Sequence, residues 1–290
     1  MFKQSLIAIT AAAGLGLAGP ALAEGRTASI NGLTMYYEIH GTGRPLVLLH
    51  GALTTIETSF GKLLPALAKT RQVIAIEQQA HGRTGDIARP LTYEQMAEDT
   101  AALLRDLKIE GADFFGYSMG SGIALQIAIK HPQLVRKLAL AAPIFSRDAF
   151  YPHVLPQIET LNPEHLAGTP WHQAYLKVAP KPGDWPMLVE KVKQLNREFQ
   201  GSTAEAVRSI KAPALIIIGD ADVVRPEHAV ELLRLLGGGV AGDDASGRPT
   251  IPRSQLAVLP GTTHVTLVDR ADWLLSMVQE FLDAPMPPAK

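Results

Sequence analysis

The chain has 290 residues with 27 Lys and Arg against 28 Asp and Glu, a formal charge of −1, and is long enough for one large domain or a domain carrying an insertion. Hydrophobic residues make up 47% and charged residues 19%, which excludes global disorder, and the missing basic excess argues against nucleic acid or an anionic membrane as partner. No cysteine is present, so disulfides, thiolate nucleophiles and Cys-bound zinc are excluded, and any chemistry must use Ser, His, Asp, Glu or a bound cofactor.

Residues 1–23 read as a targeting segment. Lys3 is the only charge before Glu24, residues 6–17 are apolar, and Pro20 precedes Ala21-Leu22-Ala23, the small-x-small pattern of a signal-peptidase site. The uncharged run of residues 6–23 could nearly span a bilayer, but Gly14, Gly16, Gly19 and Pro20 weaken such a helix. The sequence therefore predicts cleavage after Ala23 and a periplasmic or secreted product with no stable membrane anchor.

Strand and helix patterns then alternate. Residues 28–30 and 33–39 flank Asn31-Gly32, a hairpin signal. Residues 46–49 form an apolar strand ending at His50-Gly51, and Phe60, Leu63, Leu64 and Leu67 follow at helical spacing. A strand over 72–76 is followed by Thr92 and Gln95, spaced as a capping box, and by a helix carrying Met96, Leu103, Leu104 and Leu107. Phe114-Phe115 marks a strand, 123–129 a buried helix and 138–142 another strand. The pattern resumes with strand 215–218, a helix over 230–236, strand 256–259 and a last helix. In that last helix Trp273, Leu274, Met277, Val278, Phe281 and Leu282 form a 3.6-period stripe, expected to face the core. Apolar strands separated by helices imply an α/β fold, a mostly parallel sheet with helices on both faces.

Two stretches interrupt the alternation. Eight prolines fall between Pro143 and Pro186, among Trp171, Tyr175 and Trp185 and His153, His165 and His172, so residues 144–210 are expected to form a cap of short, broken helices between core segments 24–143 and 211–290. The cap aromatics could line a pocket or pack the cap. The histidine spacings are not those of a metal pair, and no dinucleotide or phosphate-loop fingerprint occurs, so neither metal nor cofactor is expected. Residues 237–254, with Gly237-Gly238-Gly239 and Asp243-Asp244, are expected to be a mobile surface loop.

The chemistry centres on Gly116-Tyr117-Ser118-Met119-Gly120, a G-x-S-x-G run placed between a strand and a helix. That is where a nucleophile elbow lifts a serine hydroxyl over a strand end and where a helix N-terminus offers free amides. Ser121, inside the first helical turn, is expected to serve packing or capping. A serine needs a base, and the base needs a group that fixes its tautomer. Strand 215–218 runs into Asp220 and Asp222 and strand 256–259 leads to His264, both loops reaching the edge of the sheet that bears Ser118. The residues alone leave Asp220 and Asp222 open.

With His50-Gly51-Ala52, Ala80-His81-Gly82-Arg83-Thr84, the serine elbow, Gly219-x-x-Asp222 and the loop ending at His264, nearly all of the chain after residue 23 resembles a capped serine hydrolase of the α/β-hydrolase superfamily. The resemblance implies an eight-stranded sheet. It also implies Ser118 as nucleophile, His264 as general base, Asp222 as orienting acid, and the amides of Ala52 and Met119 as the oxyanion hole. His50 is expected to hold the oxyanion loop and His81 to be structural. Ala80 departs from the pattern, which commonly has glycine there. The activity implied is cofactor-independent cleavage of small carboxylic esters. Perhydrolysis with halide oxidation, lactone opening, carbon-carbon cleavage and a non-catalytic binding role are the alternatives on the same scaffold.

Overall fold

The computed structural model describes residues 25–243 and 246–287; the leader reading of residues 1–23 lies outside them, as does Asp244. Asn31 and Gly32 adopt φ of 49° and 85°, as a two-residue hairpin turn requires, and join β1 (Arg26–Ile30) to β2 (Leu33–His40). The remaining strands are β3 (Arg44–Leu49), β4 (Arg71–Ile76), β5 (Ala112–Tyr117), β6 (Val135–Ala141), β7 (Ala214–Ala221) and β8 (Gln255–Thr263). They form one eight-stranded sheet in the order β1-β2-β4-β3-β5-β6-β7-β8, antiparallel from β1 to β4 and parallel beyond.

Helices α1 (Ile56–Phe60) and α2 (Leu64–Leu67) follow β3, α3 (Tyr93–Asp106) follows β4, and α4 (Met119–Lys130) follows β5. Between β6 and β7 lie α5 (Val154–Glu159), α6 (Pro170–Val178), α7 (Trp185–Glu198) and α8 (Ala204–Arg208); α9 (Pro226–Leu235) and α10 (Ala271–Asp283) complete the chain. Apolar faces of α3, α4 and α9 cover one side of the sheet and those of α1, α2 and α10 the other, giving two core layers. The β3, β5, β7 and β8 ends that carry chemistry therefore meet at one edge, the carboxyl edge of a parallel sheet.

Several local expectations are corrected. Phe60 ends α1 and Leu64 and Leu67 belong to α2, with Leu63 in the turn between the two short helices. The capping box of α3 is half formed: Thr92 Oγ1 accepts from the Gln95 amide at 3.0 Å, but the Gln95 side chain donates to Asp99. In α10 Trp273 is 44% exposed and stacks on Arg270, so the core stripe begins at Leu274. Prolines do not break α6 and α7, because Pro170 and Pro186 occupy their first turns, where a missing N–H costs nothing. α7 accordingly runs 14 residues and buries Leu188, Val189, Val192 and Leu195 at helical spacing.

Candidate active site

Ser118 sits between β5 and α4 with φ 52° and ψ −114°, a region that non-glycine residues avoid. The turn is possible because its flanks lack side chains. A Cβ at Gly120 would lie 1.9 Å from Leu49 O and one at Gly116 2.4 Å from Gly120 O, so β3, β5 and α4 approach closely only with glycine at both positions. The Ser121 hydroxyl lies 2.7 Å from Gly116 O and 2.8 Å from Ala141 O, so its proton is committed to backbone carbonyls beneath the turn.

Three of the side chains singled out in the sequence come together. Ser118 Oγ is 2.9 Å from His264 Nε2, and His264 Nδ1 is 2.8 Å from Asp222 Oδ1. Asp222 is buried, and its Oδ1 also accepts from the Val224 amide at 3.0 Å, which fixes the carboxylate. Asp220 points elsewhere: it is exposed and accepts from the Thr262 amide at 3.0 Å, and the amides of Thr262 and Gly261 hold its pKa below the usual carboxylate value. A carboxylate on Nδ1 keeps the proton there and leaves Nε2 free to take one from Ser118. Tyr117 donates its hydroxyl to His264 O at 2.9 Å, and burial raises its pKa so that it stays a donor.

His50 and His81 act on the backbone. The Gln78 amide donates to His50 Nε2 at 3.0 Å, so the His50 proton sits on Nδ1 and is donated to Gly51 O at 2.7 Å. The Thr54 hydroxyl donates to the same oxygen at 2.7 Å. In a trans peptide the N–H points opposite to the C=O, so pinning Gly51 O aims the Ala52 N–H away from His50. Met119 is the first residue of α4, where an amide has no intrahelical acceptor. Ala52, Met119 and Ser118 all line one cavity. Ala80, where the family pattern commonly has glycine, is held at φ 65° beside His81.

That cavity has a volume of about 430 Å³ and lies between the sheet edge and α5, α6 and α7. Its walls are largely apolar, including Leu53, Ile144, Phe150, Val154, Trp171 and Leu195, and no Lys, Arg, Asp or Glu lines it. Trp171 faces it. Trp185 does not: it is buried against Tyr175 and His172, with ring centroids 5.3 and 5.1 Å away. Gly168 donates its amide to His172 Nδ1, while His153 stacks on Tyr151. Among the described residues no cluster of three or more His, Asp or Glu could hold a metal.

Sequence patterns gave no warning of Tyr93, Gln157 and Asn196, which also line the cavity. Tyr93 had a usable signal, because the first turn of a helix that follows a parallel strand starts at the same edge as the strand ends. Gln157 and Asn196 reach the site only through the packing of α5 and α7, which no local pattern encodes.

The buried titratable groups around this edge make a pH prediction. Burial lowers His50 to about 4, His81 to about 3 (with His50 close by) and His228 to about 4, while it raises Glu77 to about 7. At pH 5 the unfolded chain binds a proton at each of these three histidines, and the folded chain binds one at Glu77, a net uptake of about two protons on unfolding. The melting temperature is therefore expected to rise from pH 4.5 to 6.5, and the Glu77 contribution is lost as pH rises through 7. Calorimetry across that range checks it, and a flat profile would contradict the neutral burial of these histidines.

The fold and the serine elbow define the class. The chain has the α/β-hydrolase fold: a family model described as "alpha/beta hydrolase fold" matches residues 44–174. It is 34% identical over 113 residues to a pyrrolizixenacetamide deacetylase of Xenorhabdus hominickii, covering 39% of this chain and 42% of that protein. It is 39% identical over 103 residues to a 2-hydroxymuconate semialdehyde hydrolase of Pseudomonas sp. strain CF600, covering 34% of this chain and 36% of that protein. The chain thus spans less than half the length of these relatives. The enol-lactonase of Burkholderia xenovorans LB400 has the same fold, with TM-score 0.66 and 22% identity over 89% of this chain and 100% of the other.

Proposed function

We propose that the protein hydrolyses small, uncharged carboxylic esters through an acyl-enzyme on Ser118. The observation that carries this reading is the hydrogen-bonded line Ser118–His264–Asp222 opening onto an apolar cavity with no charged wall residue. His264 Nε2 takes the Ser118 proton as Oγ attacks the ester carbonyl, while Asp222 holds the Nδ1–H tautomer. The Ala52 and Met119 amides donate to the oxyanion, and His264 returns the proton to the leaving alcohol. Water, activated by His264, then attacks the acyl-serine and restores the enzyme. A carboxylate in this cavity would be desolvated without a cationic partner, a cost of several kcal/mol, so uncharged acyl groups are favoured.

The test is a set of p-nitrophenyl esters of increasing acyl length beside a succinyl ester carrying a free carboxylate, with peroxide added in a parallel arm. Hydrolysis of the neutral esters at least tenfold above the anionic one, with no gain from peroxide, is expected. A serine-directed phosphonate should leave one adduct, on Ser118. No adduct and no turnover would sink the reading in favour of a non-catalytic role.

The cap aromatics divide by position. Trp171→Ala is expected to change the ranking of acyl lengths because the ring lines the cavity. Trp185→Ala is expected to cost about 3–5 kcal/mol of stability, the range for a buried Trp, with the ranking unchanged. Melting curves run beside the ester panel on both variants decide between these roles, and the reverse assignment would overturn them.

Export belongs to the same proposal. Ala21 and Ala23 supply the small residues that a signal peptidase requires, so expression of the whole sequence in a bacterium is expected to give a periplasmic protein beginning at Glu24. Intact-mass measurement reads the terminus; a membrane-bound product beginning at Met1 would identify an anchor instead.

A further inference from the structure

Tyr93 is the first residue of α3, and its ring is held on two sides. A Cβ added at Gly122 would lie 2.5 Å from Tyr93 Cε1, so the ring lies directly against α4, one helical turn beyond Ser118. On its other side Phe199, just after α7, packs with ring centroids 4.8 Å apart. Core and cap therefore fix this ring together, and its side chain has little freedom left.

The hydroxyl has no partner. Among the described residues the Tyr93 oxygen makes no hydrogen bond, although the residue is only 4% exposed. Nor is this oxygen among the unpartnered side-chain atoms sealed inside the protein. Tyr93 lines the cavity together with Ser118. A donor held at a binding cavity without a protein acceptor must find one on the ligand once the ligand displaces water, or stay unpaired at a cost of about 1–3 kcal/mol. Burial also raises the Tyr93 pKa, so the phenol remains protonated.

Position decides which part of the substrate it meets. His264 must protonate the leaving alcohol, which places that alcohol on the wall formed by Tyr117, Val223 and Val265. Tyr93 belongs to the other core layer, with Leu53, Met119, Trp171, Val192 and Leu195, on the side of the Ala52 and Met119 amides. That side holds the acyl group.

We propose that the Tyr93 hydroxyl donates a hydrogen bond to an oxygen on the acyl group, so that the enzyme selects uncharged acyl chains bearing a carbonyl, ether or hydroxyl oxygen over plain alkyl chains. This rests on the esterase reading above and names the substrate class within it. Tyr93 binds the substrate away from the reacting carbonyl and takes no part in proton transfer.

The experiment compares kcat/KM for p-nitrophenyl hexanoate with its 4-oxo and 5-oxo counterparts, each divided by its rate with hydroxide, in the wild-type protein and in Tyr93→Phe. The wild type should favour at least one oxo ester by about tenfold, the value of one hydrogen bond at a buried site, and Tyr93→Phe should bring the ratio to about one. The ratio is the readout because a general loss, from altered packing or a weakened oxyanion site, cancels from it. A wild-type ratio near one, or a preference that survives in Tyr93→Phe, overturns the Tyr93 assignment while leaving the esterase reading intact if hexanoate is cleaved. Absence of cleavage of all three esters together with no phosphonate adduct on Ser118 overturns both.

Discussion

Ser118→Ala is expected to lower kcat on any ester the protein cleaves by about 10⁶-fold, the scale set by removing the nucleophile of a serine triad. The Cβ remains, and with it the backbone at φ 52° and ψ −114°, so the turn that strains this residue is kept and the melting temperature should stay within about a degree. KM should change little, since the cavity walls are untouched. Residual turnover about 10³–10⁴ above the water rate is expected from the Ala52 and Met119 amides and from binding alone. Steady-state assays at high enzyme concentration read kcat, KM and the residual turnover, and a melting curve reads the stability. Ser121→Ala is the control, because its hydroxyl is already bound to Gly116 O and Ala141 O. Loss of turnover in Ser121→Ala with retention in Ser118→Ala would reassign the nucleophile.

What made this site legible in the sequence was the coincidence of local signals at strand ends. Asn31-Gly32 announced a hairpin because both positions need positive φ, and the structure has both there. The Gly116 and Gly120 positions announced a close approach of three elements, and their missing side chains are what permits it. The choice of Asp222 over Asp220 came from the family resemblance at Gly219-x-x-Asp222 and was not legible from the residues alone. It depends on which carboxylate the register between β7 and β8 turns toward His264, and a shift in that register falls between Gly219 and Ala221. The cap was legible as an interruption but not as architecture, since proline in a first turn and proline in a helix interior look the same in composition. Trp273 shows a similar limit: it fits the apolar stripe of α10 by periodicity, yet it is exposed and packs on Arg270. The polarity of the cavity depends on α5, α6 and α7 meeting the sheet edge, contacts between residues far apart in the chain.

Asp222→Asn is expected to lower kcat by about 10⁴-fold with the fold intact. An asparagine amide facing His264 Nδ1 would donate where the carboxylate accepts, which favours the tautomer with the proton on Nε2. That nitrogen lies 2.9 Å from Ser118 Oγ and could then no longer take the serine proton, so attack would be lost although all three side chains remained in place. Because Oδ1 accepts from both the Val224 amide at 3.0 Å and His264 Nδ1 at 2.8 Å, the asparagine either turns its nitrogen there and sets the wrong tautomer or keeps its oxygen there as a neutral acceptor that stabilises the developing imidazolium less. Asp220→Asn removes no contact with His264. Its oxygen can go on accepting from the Thr262 amide, so turnover should stay within about threefold of the wild type, the scale of a change worth under 1 kcal/mol. The two carboxylates lie two residues apart, Asp220 within β7 and Asp222 just after it, and kcat measured on one neutral ester separates them. Should Asp220→Asn prove the more damaging, the hydrogen bond between Asp222 and His264 would not be the one that orients the base, and the charge supporting His264 would have to come from Asp220 through the β8 loop that it binds.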